Sequence, residues 1–268
     1  MTERATGVAV SVVVPVFRNA PTLEPLVGRI GAVLTAAGFT FEVLLVDDAS
    51  DDASPEVMAR LVRTNSRVRG FRLARNQGQH LAVMLGLQQS QGVFCVVLDA
   101  DLQDPPEAMP ELLGRLSREP VEVVFAARTG RYQGPVRMLT SWLYRRLLLR
   151  PLAGLPQGAG MYFALRREAF VRLLSLSLPA RPMTLGLIAA GRLKCAHLPV
   201  ARAYRLHGRS AYSASARLLS AGRMLACALR AGRGVGPTLA QRLAAVPFVE
   251  DRAGRHDFPA CGTSTGAE

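Results

Sequence analysis

Residues 8–50, "VAVSVVVPVFRNAPTLEPLVGRIGAVLTAAGFTFEVLLVDDAS", decide the fold. They open with "VAVSVVVPVF" (8–17), a continuous β-branched run of the kind that fills a strand buried on both faces. "APTLEPLVGRIGAVLTAAG" (20–38) follows with helical periodicity and Gly38 at its end. "FEVLLVDDAS" (41–50) is a second apolar strand that stops at two aspartates. A helix between two such strands makes a parallel pair with a right-handed crossover.

The pattern continues outward. "SPEVMARLVRT" (54–64) predicts a helix with Ser54 as N-cap and Pro55 in the first turn. "VRGFRLA" (68–74) predicts a third strand, "QGQHLAVMLGLQQSQG" (77–92) a third helix and "VFCVVLDA" (93–100) a fourth strand. A fourth helix (106–119) and a fifth strand, "VEVVFAAR" (121–128), complete the series. Regular alternation of this kind predicts an α/β fold, a mostly parallel sheet flanked by helices. In such sheets ligands bind beyond the carboxyl ends of the strands. Asp47-Asp48 and Asp99/Asp101 both fall at such ends, so one rim carries both acidic clusters.

After residue 128 the pattern loosens. "RMLTSWLYRRLLLRPL" (137–152) and "SASARLLSAGRMLACALRAG" (213–232) read as basic amphipathic helices. Residues 159–174 read as a strand and then a helix, and 193–206 as a weak strand. From about residue 247 a polar, Gly-rich tail is expected to be disordered. The expected organisation is therefore one domain over 1–212, with halves at 1–128 and 129–212, a basic helical segment at 213–246 and the tail at 247–268.

Charge follows the same division. Residues 1–125 carry fifteen acids and eleven bases, whereas 126–249 carry twenty bases and one acid, Glu168. A half that basic implies an anionic partner such as phosphate or a lipid surface. Cys95, Cys195, Cys227 and Cys261 are scattered, so neither a zinc site nor a disulfide framework is expected. No window has the uninterrupted apolar length of a spanning helix, and the N-terminal apolar run leads into strand sequence rather than a cleavage site.

"DADLQD" (99–104) carries the chemistry. Asp99 and Asp101 just past a strand can present hard oxygens to Mg²⁺ or Mn²⁺, with Gln103 adding a third directly or through water. The same residues also fit a solvated turn that caps the next helix; the second acidic cluster on the rim favours ligand binding. Neither a phosphate-binding P-loop nor the Gly-rich dinucleotide fingerprint is present, so a nucleotide site here would use metal and side chains.

In this order, "SVVVPVFRNAPTLEPLV", "VLLVDDASDDAS", "LARNQGQHLAVMLGL" and "VVLDADLQDPPEAMPELL" strongly resemble the family 2 glycosyltransferases of GT-A fold, a Rossmann-like architecture. The nearest likeness is to dolichol-phosphate mannose synthases and bacterial undecaprenyl-phosphate glycosyltransferases, over roughly residues 8–215. The resemblance implies an enzyme that transfers a sugar from a nucleotide-diphosphate sugar. It implies that Pro15 and Asp48 line the donor base and ribose. Asp99, Asp101 and Gln103 match the metal cluster that holds the donor diphosphate. Arg128, Arg137, Ser141 and Arg205 match positions that reach phosphates, which with Asp101 makes Arg137, Ser141 and Arg205 the implied catalytic set. The chain departs from the pattern at Phe17-Arg18-Asn19, at "QGAGMYF" (157–163), where family acids are missing, and at Ala211, where Lys is usual.

The missing acids bear on mechanism. Transfer to a hydroxyl needs a general base, and the second half offers only Glu168, an ordinary early-helix acid. A phosphate acceptor is already ionised and needs only cations to hold it in line, and planar guanidiniums suit phosphate oxygens. Together with what the resemblance implies, the expected partners are a nucleotide-sugar donor and a polyprenyl phosphate at the cytoplasmic face of a membrane. The basic helices can lie in a headgroup plane, or pack with an exposed basic face. The alternatives are a soluble acceptor, or a non-catalytic anion binder. Nucleic acid is not expected, because the arginines lack aromatic interleaving.

Overall fold

The seven residues of β1, Val10–Val16, are all buried, and so are the seven of β2, Phe41–Asp47. The two strands pair in parallel with Val10 opposite Phe41 and Val16 opposite Asp47. Helix α1, Ala20–Ala36, makes the crossover and buries Leu23, Leu26, Ile30 and Leu34 at helical spacing, each burial stabilising by roughly 1.5–3 kcal/mol. Gly38 follows with φ +75°, the left-handed conformation that lets the chain turn back into β2.

The computed structural model describes residues 7–129, 155–156, 158–177, 182–201, 222–224, 226–229, 231 and 236–251. In chain order the further elements are α2 (Ser54–Thr64), β3 (Val68–Leu73), α3 (Gln79–Gln89), β4 (Phe94–Val97), a 3-10 turn at Pro106–Ala108, α4 (Met109–Arg118) and β5 (Val123–Thr129). They continue with β6 (Phe163–Arg166), α5 (Arg167–Leu173), α6 (Thr184–Ala190), β7 (Cys195–Ala201), α7 (Leu239–Ala244) and β8 (Phe248–Asp251). The eight strands form one sheet in the order β7-β5-β6-β4-β1-β2-β3-β8. Only β6 and β8 run against the rest: β6 is antiparallel to β4 and β5, and β8 to β3. The fold is the expected mostly parallel α/β sheet with helices on both faces.

Alternation along β1 divides the core. Val10, Val12, Val14 and Val16 face one cluster, which they share with α1, α2 and α4, while Val13 faces the other, with α3, α5, α6 and α7. Helix α3 lies close against the sheet at Gly86, where a Cβ would collide with the Val13 side chain.

One buried polar cluster lies on the sheet face of the second cluster, at the start of β1, β2 and β3. The Ser11 hydroxyl donates to Glu42 Oε1 at 2.6 Å, and the backbone N–H of Gln91 donates to the same oxygen at 2.7 Å. Arg69 bridges Glu42 at 3.0 Å and Glu250 of β8 at 2.8 Å.

Two expectations need correction. Ser54 is the first residue of α2 rather than its N-cap; its hydroxyl accepts the Asn19 backbone N–H at 2.9 Å, joining α2 to the start of α1. Residues 248–251 are not part of a disordered tail. They form an edge strand on β3, and α7 just before them buries Leu239 and Leu243 in the second core cluster. Residues 236–251 thus belong to the sheet domain, which does not close near residue 212. The helix expected over 137–152 lies outside the described residues, as does the segment 205–212; of 213–232, residues 222–224 and 226–229 are helical.

Candidate active site

The chain leaves β1, β2 and β4 through three non-glycine residues with left-handed backbone: Arg18 (φ 55°), Ala49 (φ 57°) and Leu102 (φ 59°). Such conformations are uncommon and cluster where a site constrains the chain. Here they fold the strand ends around one cavity of about 420 Å³, walled by Pro15 and Val16 at the end of β1, Phe17 just after it, Asp48 after β2, and Asp99 to Asp101 after β4. The sheet order reverses between β1 and β4, so the cavity sits at the topological switch point, where open α/β sheets bind ligands.

The two aspartates at the end of β2 do different work. Asp47 is fully buried outside the cavity wall; its carboxylate accepts the Ser50 N–H at 3.0 Å and pairs with Arg72 Nε at 3.3 Å. Burial pushes its carboxyl above the ordinary value, and Ser50 and Arg72 oppose that shift. Asp48 lines the cavity. Its two oxygens accept the backbone N–H groups of Gln77 (2.6 Å) and Gly78 (2.8 Å), and burial pushes its carboxyl up against their pull. Asp48 therefore fixes the turn after β3, in which Gly78 has φ +92°, a conformation where a side chain would be strained.

Asp99 and Asp101 both line the cavity. Gln79, the first residue of α3, donates its side-chain amide to Asp99. The Gln103 N–H donates to Asp101 Oδ1 at 3.1 Å. Gln103 itself is buried and is not among the residues that wall the cavity; its backbone N–H orients Asp101. The following turn is tied down by Tyr162, whose hydroxyl donates to the Pro105 carbonyl at 2.8 Å; burial, with Asp104 and Glu107 nearby, pushes that phenol above its ordinary range. Among the described residues no group of three or more His, Cys, Asp or Glu is placed to hold a metal ion by itself. Two carboxylates open to a cavity fit a hard divalent cation whose remaining ligands are water and phosphate oxygens.

Of the residues expected from sequence, the structure brings together Pro15, Asp48, Asp99 and Asp101. Arg128 lies in β5 opposite Val200 of β7, two strands from β4, and its side chain is outside the described residues. Arg137, Ser141 and Arg205 are also outside them. Glu168 is exposed in the first turn of α5, and among the described residues no carboxylate from the second half walls the cavity. Sequence reasoning assigned no role to Asn76, Gly78 or Gln79. Their signal is the polar, glycine-bearing "NQGQ" (76–79) past β3, at the same rim as the aspartates.

Comparison with known proteins agrees with this geometry. The family model for glycosyl transferase family 2 matches residues 11–174. An undecaprenyl-phosphate 4-deoxy-4-formamido-L-arabinose transferase of Pseudomonas aeruginosa (strain LESB58) is 36% identical over 214 residues, 79% of this chain and 62% of the relative. Its counterpart from Edwardsiella ictaluri is 32% identical over 79% of this chain and 65% of the relative. The chain thus spans less than two thirds of these relatives' length. Among solved structures, a Pyrobaculum calidifontis mannosyltransferase in complex with GDP-Man and Mn²⁺ superimposes with a TM-score of 0.62 at 20% identity, over 91% of this chain and 71% of that one. A Mycobacterium tuberculosis glucosyl-3-phosphoglycerate synthase with Mn²⁺ and UDP-glucose gives 0.58 at 22%, over 83% and 78%. These likenesses identify the fold as GT-A, and with the family match over 11–174 the chain belongs to glycosyl transferase family 2.

Proposed function

We propose that this chain is an inverting, metal-dependent glycosyltransferase of hexosyltransferase type that moves a sugar from a nucleotide-diphosphate sugar to a polyprenyl phosphate. The observation that carries the reading is the composition of the rim cavity: Asp48, Asp99 and Asp101 wall it, and no described carboxylate of the second half stands beside them as a base. The donor half of the reading draws on the GDP-Man, UDP-glucose and Mn²⁺ held by the two solved structures. The acceptor half draws on the undecaprenyl phosphate in the names of the sequence relatives.

Asp99 and Asp101 would hold Mg²⁺ or Mn²⁺, with Gln79 and Gln103 fixing the two carboxylates. The cation, when bound, offsets charge on the donor diphosphate and improves it as a leaving group. Pro15 and Asp48 would line the nucleoside, Asp48 by setting the turn at Gln77-Gly78. An ionised acceptor phosphate oxygen attacks the anomeric carbon from the face opposite the diphosphate. The new C–O bond forms as the bond to the diphosphate breaks, configuration inverts, and no proton needs removing. Arg128, Arg137, Ser141 and Arg205 are the groups we assign to the phosphates. We assign the protein to the cytoplasmic face of a membrane, in peripheral contact with it, on the strength of the undecaprenyl phosphate in the names of its relatives.

The test is transfer from radiolabelled UDP- and GDP-sugars to polyprenyl phosphate in detergent, with Mg²⁺, Mn²⁺ or EDTA. A labelled lipid that disappears with EDTA is expected. Donor turnover without labelled lipid would move the acceptor to a soluble molecule, and no donor turnover or binding would overturn the enzyme reading.

A further inference from the structure

A second cavity, of about 640 Å³, adjoins the first, and Asn76 and Gly78 line both. Its outer wall comes from residues that return to the domain late in the chain, including Arg223 and the 237–247 segment, anchored where the Ala74 N–H donates to the Pro247 carbonyl at 3.2 Å. Three arginines, Arg75, Arg223 and Arg242, line it, and no carboxylate does among its described lining residues. Arg75 and Arg223 are exposed, and neither has an ion-pair partner among the described residues. On the first-half surface, by contrast, Arg18, Arg29 and Arg60 each hold a carboxylate.

His80 adds a neutral donor to the same wall. The Thr184 backbone N–H donates to its Nδ1 at 3.4 Å, and the Thr184 hydroxyl lies 3.0 Å from the same nitrogen. Nδ1 is thus an acceptor, the ring proton sits on Nε2, and that N–H has no protein partner among the described residues. Burial lowers the ring's pKa to about 4, so it stays neutral at ordinary pH.

We propose that this second cavity binds a phosphate group, through Arg75, Arg223, Arg242 and the Nε2–H of His80, at a place separate from the donor diphosphate. Forked guanidiniums around a pocket with no carboxylate among its described lining residues suit a tetrahedral, multiply charged oxyanion better than a lone carboxylate. The volume exceeds a single phosphate, so the ligand carries that group on a larger body: a lipid headgroup at a membrane surface or a free phosphorylated molecule. Because the two cavities share Asn76 and Gly78, occupancy of one bears on the turn that walls the other.

The experiment measures binding to the full chain in EDTA without donor, so its outcome does not depend on sugar transfer. The probes are inorganic phosphate, inorganic pyrophosphate, and vesicles of phosphatidylcholine with and without phosphatidic acid, whose headgroup is a terminal phosphomonoester. Arg75→Gln/Arg223→Gln is compared with Arg63→Gln/Arg118→Gln, which removes the same charge from exposed positions outside the cavity. Loss of two charge-assisted contacts is expected to weaken binding by about tenfold or more in the first variant only. Selective loss on the anionic vesicles would name the headgroup as the source, and selective loss on the soluble anions a free phosphorylated ligand. Equal affinity in both variants, or no binding of any probe by the unaltered chain, would overturn the proposal. Unchanged melting temperatures would exclude misfolding as the cause of a loss.

Discussion

Asp47 and Asp48 are neighbours in sequence, yet one braces a turn and a strand while the other walls a cavity. The same distinction separates Asp101 from Gln103. Asp101→Ala is therefore expected to lower metal-dependent transfer by about a hundredfold or more, the scale of losing one electrostatic stabiliser of a transition state, with little change in melting temperature. Gln79→Ala is expected to weaken Mn²⁺ binding by about tenfold, as for a partner that orients a metal ligand; electron paramagnetic resonance of free Mn²⁺ reads this without turnover. His80 supplies a pH effect. Its folded pKa of about 4 lies below the ordinary 6.5, so between those values the unfolded chain binds a proton that the folded chain refuses. The contribution is complete above pH 6.5 and is lost as pH falls toward 4. Melting temperature should decline over that window, and His80→Gln should flatten the decline.

At the level of elements, what was legible depended on locality. β1, β2 and their crossover were readable because a strand buried on both faces is continuous and β-branched, and α1 carries its own 3.6-residue period. The rim position of Asp48, Asp99 and Asp101 followed from those strand ends. The place of β6 was not readable, since its insertion between β4 and β5 is a pairing between segments far apart in sequence. β8 escaped because "FVED" is a short, half-polar edge strand whose partner is some 180 residues away. Its tie to the sheet is ionic as well as apolar. Arg69→Ala would strip Glu42 of its cation inside a largely buried cluster, and about 3 kcal/mol of destabilisation is expected by analogy with broken buried pairs, measured by urea unfolding.

For the whole molecule, the consequence is that a late segment completes an early one. Deleting 236–268 would expose the β3 edge and remove Leu239 and Leu243 from the core. A fall in melting temperature of about 10 °C or more is expected from that lost burial, checked by calorimetry. A shortened chain that melts at the same temperature would mean that β8 is dispensable. The order in which a ribosome delivers the chain gives this feature a further meaning. β1 to β3 emerge first, with everything needed to pair among themselves, but one side of β3 keeps its backbone donors and acceptors unmatched until residues 248–251 are made. For the interval of synthesising some 175 residues, that edge is open to strands from other nascent chains. The cell therefore meets this protein first as an unfinished sheet, and crowding on polysomes is where its yield would be decided.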